Sequence, residues 1–145
     1  MNTLTQSRWA QVAFARRDFL CAAIGVIFIF TSVSKLTRLP QFHLSLQAAG
    51  VPEAFSSAVV AAVISGEIIL GCSMLFFENK RLPARAAVLM LAMFTGYLGR
   101  LLTLPTPPHC DCLGVSIFVD ARHEAIFSIV RNVGLSALLA PACIR

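Results

Sequence analysis

Four apolar stretches dominate this chain: residues 19–36, 58–77, 86–104 and 125–144. Each approaches or reaches the ~20 residues that a helix needs to cross a ~30 Å hydrocarbon layer. No other reading of such runs is as economical, because a spanning segment must satisfy its backbone polar groups internally. The chain has 145 residues, of which 57% are hydrophobic and 13% charged. A soluble domain of this size carries roughly 25% charged residues, so the composition belongs to the membrane class. The expected fold is all-α: a single integral membrane domain over 1–145, built as a four-helix bundle.

The net charge of +5 is a topology signal rather than a nucleic-acid footprint, since no Lys/Arg cluster alternates with aromatic residues. Arg8, Arg16, Arg17, Lys80, Arg81, Arg85 and Arg145 fall on one flank of the four stretches. Lys35, Arg38 and Arg122 fall on the other, with Arg100 near that edge. The bias predicts cytoplasmic termini and an outward-facing third connection, periplasmic in a bacterial inner membrane. Arg16-Arg17-Asp18-Phe19-Leu20 also has the look of a twin-arginine export signal, with Ser32-Val33-Ser34 as a small-x-small site. Three further spans follow it, so a retained first helix is the preferred reading.

Between the first two stretches, Pro40 to Ala49 reads as a short helix that Gly50-Val51-Pro52 stops. Leu39, Phe42, Leu46 and Ala49 share one face, which suits an interfacial helix over the end of the bundle. An ordinary amphipathic connector has the same pattern, and His43 on it reads as an interfacial polar residue. Ala58, Ala62 and Gly66 repeat every four residues and are expected to form a seam for close helix approach.

Ionisable residues interrupt the spans at Glu67, Arg100 and Arg131. A carboxylate at mid-depth is expensive unless protonated, paired or hydrated. Counting residues puts Glu67 and Arg131 within ~4–5 Å of the same depth. A Glu67–Arg131 pair is therefore expected, with Arg100 as the competing partner and Gly71 leaving room beside the carboxylate. Ser128, Asn132 and Ser136 add a polar stripe. An interhelical lock is the preferred reading of these groups over a proton path or a polar pocket.

Pro105, Pro107 and Pro108 end the third stretch, and His109-Cys110-Asp111-Cys112-Leu113-Gly114 follows. A disulfide across one intervening residue closes a very small ring, and strained exposed disulfides are the labile, exchange-prone kind. Cys110 and Cys112 are thus the candidate redox pair. Two alternatives stay open: a soft-metal site using His109, Cys110, Cys112 and Asp111 or His123, and a static disulfide or idle thiols. Structural zinc wants four regularly spaced ligands, and no second cysteine pair is present. Cys21, Cys72 and Cys143 sit in or beside apolar runs and read as small buried residues.

The order of these motifs resembles the methylamine utilization protein MauE family, within the broader DoxX-like four-helix membrane proteins. The resemblance rests on Ser34-Lys35-Leu36, Ala49-Gly50-Val51-Pro52, Glu67 with Gly71, Cys110-x-Cys112-x-Gly114, and Arg131-Asn132. Leu113 stands where the family usually has Phe. The resemblance implies a bacterial inner-membrane protein that works with a periplasmic thioredoxin-like partner. It further implies maturation of a disulfide-rich amine dehydrogenase subunit in methylamine metabolism. Cys110 and Cys112 would be the working pair, with Glu67, Arg131 and Asn132 as pattern positions. No cofactor is evident from the sequence, and nothing in it identifies a quinone. A membrane scaffold without catalysis is the alternative function, and metal or small-solute transport a more distant one.

Overall fold

A computed structural model describes residues 3–108 and 120–141, with side chains from Asp18 onward. The described residues contain five helices and no strand: α1 (Thr3–Thr37), α2 (Leu39–Ala48), α3 (Glu53–Phe76), α4 (Arg81–Leu102) and α5 (Ala121–Leu139). Helix α1 begins well before its apolar stretch, because residues 3–17 contain neither Pro nor Gly to stop it. Helices α3 and α4 likewise start earlier than hydropathy alone suggests. Pro52 stands immediately before α3, and Pro83 occupies the first turn of α4, where a missing N–H costs nothing.

Among the described residues, three segments are long and apolar enough to cross a membrane: Asp18–Thr37, Glu53–Phe76 and Arg81–Leu102. Their outward faces carry large bare side chains, among them Phe19, Phe55, Phe76, Leu82 and Met93. So much exposed apolar surface needs lipid rather than water around it. Helix α5 falls short of the same criterion, since Arg122, Glu124 and Arg131 interrupt its 19 residues.

The bundle consists of two closely packed pairs. Helix α1 lies along α3, and α4 along α5, whereas contact between the pairs is slight. Both pairs run antiparallel: Ser32 meets Ile64 and Gly25 meets Gly71, while Ala84 and Ala87 cluster with Leu139, and Leu98 and Leu101 with Ala125. The close approach of α1 to α3 depends on Gly25 and Gly71. A Cβ added at Gly71 would stand 2.8 Å from the Gly25 carbonyl oxygen and 2.7 Å from Ile29 Cγ1. Here the structure corrects two expectations. Ala58 and Ala62 are exposed rather than forming the seam, and a Cβ at Gly66 would meet only Met90, at 3.5 Å. Gly71 makes room for α1 rather than for a carboxylate. The buried face of α3 is Ser56, Val60, Ile64, Glu67, Gly71 and Met74.

Helix α2 ends as its sequence indicates. Gly50 adopts φ 102°, its N–H donates to Gln47 O at 2.9 Å, and Val51 N–H donates to Leu46 O at 3.0 Å. These are the paired bonds of a Schellman stop, and the left-handed residue favours glycine. The turn lays Phe42 and Leu46 onto Val60 and Ile64, with Leu39 packed beside them. Tyr97 of α4 donates to Ser45 Oγ at 2.7 Å, which ties α2 to the second helix pair.

Candidate functional site: a buried ion pair at the meeting of four helices

On α1, Phe28, Thr31, Ser32 and Lys35 recur at helical spacing, so one face carries three polar side chains into the bundle. Thr31 and Ser32 hydroxyls are satisfied by the carbonyls of Phe28 and Ile64, at 3.0 and 3.1 Å. Lys35 has no such local partner and reaches across to α3. Its Nζ donates to Glu67 Oε1 at 2.6 Å, with side-chain exposures of only 4% and 3%. Those exposures matter because a charge so far from water is tolerated only when paired. Lys35 Nζ also lies 4.7 Å from the centroid of the Phe94 ring and 6.0 Å from that of Phe42. Both distances fall within cation–π range.

The sequence reading of Glu67 is corrected here. Its partner is Lys35, not Arg131, because α1 packs tightly on α3 and brings the ammonium there first. Arg100 is no competitor: its guanidinium is exposed and donates to Thr103 Oγ1 at 2.9 Å. In the sequence Lys35 reads as a flank charge, which conceals its part in this site. The available signal was its place on the same helical face as Phe28, Thr31 and Ser32.

Arg131 nevertheless belongs to the site. It lines one small cavity together with Lys35, Glu67, Asn132, Phe94 and Thr31. Its Nη2 donates to Asn132 Oδ1 at 3.2 Å. Its Nε and Nη1 are buried without a hydrogen-bond partner, and so is Glu67 Oε2. The cavity measures about 20 Å³, enough for one water molecule. Asn132 and Ser128 of the expected stripe are fully buried, while Ser136 is half-buried and donates to Asn132 O at 2.8 Å. Chemically, the cluster can fix the register of α1, α3 and α5, and it can hold or release a proton inside the bundle.

At the neighbouring end of the bundle, Asp120 caps α5 by accepting from Arg122 N–H at 3.0 Å. That backbone hydrogen bond, with His123 Nδ1 at 3.0 Å from Oδ2, holds the Asp120 carboxyl below the usual carboxylate range. The Arg122 side chain donates to Leu104 O and Pro105 O, each at 3.3 Å. One residue thus clamps the end of α4 to the start of α5. His109, Cys110, Asp111 and Cys112 lie outside the described residues, in the connection between these two anchors. Among the described residues, no three His, Cys, Asp or Glu side chains gather as a metal site. His123 is engaged with Asp120 at the surface.

Cys143 also lies outside the described residues, and Cys72 is a half-buried free thiol. Cys21 departs from the expectation of a plain buried thiol, being fully buried and disulfide-bonded.

A family model described as methylamine utilisation protein MauE matches residues 11–145, nearly the whole chain and including the Cys110/Cys112 segment. No curated protein and no solved structure matches the chain.

Proposed function

The chain belongs to the methylamine utilisation protein MauE family, and from that premise we propose a redox-associated integral membrane protein that works through Cys110 and Cys112. In this reading α5 completes four spans, and α2 lies at the interface of a bacterial inner membrane. The termini are cytoplasmic and the cysteine connection is periplasmic. The withdrawal of Lys35 into its ion pair supports that orientation, because the outer flank then keeps only Arg38 and Arg122 of its three basic residues. A periplasmic connection lies where disulfides persist.

One thiolate of the pair attacks a disulfide of a thioredoxin-like periplasmic partner, and the second cysteine resolves the mixed disulfide. Two electrons and two protons pass from the dithiol to the partner's disulfide; the reverse direction oxidises the partner. The substrate further along would be a disulfide-rich amine dehydrogenase subunit. The observation that carries the reading is the Cys110-x-Cys112 pair itself. It lies within the family match, in a connection whose two ends Arg122 clamps at the mouth of the bundle.

Single Cys110→Ser and Cys112→Ser variants, oxidised in membranes, are the test. The expected result is a mixed disulfide captured by one of the two. Failure of both to capture a thioredoxin-like protein removes the redox reading. A second reading, a non-catalytic assembly scaffold, draws on the Lys35–Glu67 lock. It requires the Cys110→Ser/Cys112→Ser double variant to keep function while Glu67→Leu loses it.

A further inference from the structure

Buried polar atoms without partners are rare, and each calls for an occupant. Among the described residues, Glu67 Oε2, Ser128 Oγ and Arg131 Nε and Nη1 are such atoms. They are not scattered. Glu67 and Arg131 line one cavity with Asn132. Ser128 stands one turn from Asn132, and Glu124 one turn beyond Ser128. Glu124, Ser128 and Asn132 are 0%, 0% and 2% exposed, so their four-residue spacing stacks them on a single buried face of α5. At 1.5 Å per residue the stack covers ~12 Å. It begins in the first turn of α5, beside the Arg122 clamp, and ends at the Lys35–Glu67 pair.

The packing explains why these atoms are left over. The α1–α3 and α4–α5 pairs are each close, but α1 and α5 touch only slightly. The small cavity lies where α5 meets the α1–α3 pair, lined by Thr31 and Lys35 of α1, Glu67 of α3 and Arg131 and Asn132 of α5. The cavity of about 20 Å³ admits a water, which needs two to four polar partners. On its lining, Glu67 Oε2 supplies an acceptor and Arg131 Nε and Nη1 supply donors.

We propose that the seam between α5 and the α1–α3 pair is a hydrated half-channel, carrying water and protons between the Ala121 end of α5 and the Lys35–Glu67 pair. It goes no further. Past the cavity, Cys21, Ile24, Phe28, Met74, Ala84 and Leu139 form an apolar plug. The charged groups facing Glu67 are Lys35 from α1 and Arg131 from α5. Helix α4 contributes Leu91, Phe94 and Leu98 to the cavity, none of which titrates. Phe42 is the side chain that α2 brings close to Lys35. A proton entering by the seam ends on the Glu67 carboxylate, neutralising it, while Lys35 keeps its own proton. The pair thus answers to the pH on one side of the bundle. This inference stands on the bundle packing and does not need the cysteine chemistry.

The test uses the full chain in proteoliposomes, with Ser128→Cys and, within the apolar plug, Met74→Cys variants and an exposed Asp120→Cys variant as the side marker. A small hydrophilic methanethiosulfonate is applied, and each site is followed by peptide mass. Such reagents need an ionised thiol in water, so Ser128→Cys should react at least about tenfold faster than Met74→Cys. It should do so from the side that modifies Asp120→Cys. Equal slowness at both sites, or access from the opposite side, overturns the proposal. A second measurement uses the unaltered chain in heavy water, its Arg131 infrared bands assigned by difference against Arg131→Lys. Deuteration of the Arg131 guanidinium within minutes is expected, and protection over hours overturns the half-channel.

Discussion

Lys35 Nζ lies 2.6 Å from Glu67 Oε1, joining α1 to α3 with both side chains almost wholly withdrawn from solvent. Removing one partner leaves an uncompensated buried charge, whereas replacing both removes the desolvation cost along with the attraction. Lys35→Met or Glu67→Leu alone should lower unfolding free energy by about 3–5 kcal/mol. The double variant should recover most of that loss. Unfolding titrations in mixed micelles measure it, and strictly additive losses would refute the coupling.

The α1–α3 contact makes a second prediction that separates two glycines of α3, Gly66 and Gly71. Gly71→Ala drives a methyl to 2.8 Å from a backbone oxygen, and overpacking of this kind costs about 1–3 kcal/mol. Gly66→Ala meets only the flexible end of Met90 at 3.5 Å. It should be neutral or stabilising by up to about 1 kcal/mol, the helix-propensity gain. Equal effects at the two positions in the same unfolding assay would contradict the packing.

Tyr97 and Ser45 should prove unequal partners. Tyr97→Phe removes the phenol donor, while Ser45 Oγ still donates to Phe42 O at 2.9 Å; the cost should be about 0.5–1.5 kcal/mol. Ser45→Ala instead leaves the Tyr97 hydroxyl without its acceptor, and an unsatisfied donor costs about 1–3 kcal/mol. Hydrogen exchange of the α2 amides should accelerate more in Ser45→Ala than in Tyr97→Phe.

Acid should loosen the start of α5. The folded Asp120 carboxyl sits below its ordinary range because Arg122 N–H donates to it. A depressed carboxyl contributes its full capping effect above the unfolded pKa, about 3.9. That contribution is lost as pH falls through the folded value. Amide exchange at Arg122 and His123 should therefore rise below about pH 4, in the native protein but not in Asp120→Asn, which caps without ionising.

The architecture was legible because its causes are local. Runs of apolar residues located every long helix, and Pro40 with Gly50-Val51-Pro52 located α2 and its stop. The sequence also marked Glu67, Arg131 and Asn132 as polar groups in an apolar setting. Cys110 and Cys112 stood out differently, as a closely spaced pair in a polar connection.

What the sequence determined by itself was the helical membrane-type character, which stretches become helices, and which residues bear unusual chemistry. Only the tertiary structure decided who meets whom. Counting depth along separate helices made Arg131 the expected partner of Glu67, with Arg100 as the competitor. The rotation and closeness of α1 against α3, set by Gly25 meeting Gly71, brought Lys35 there instead. Periodicity gives the face a residue occupies on its own helix, but the direction of that face within a bundle depends on all the other helices at once. The same dependence left Arg131 beside an occupied carboxylate, with two N–H groups turned toward a space the size of a water molecule.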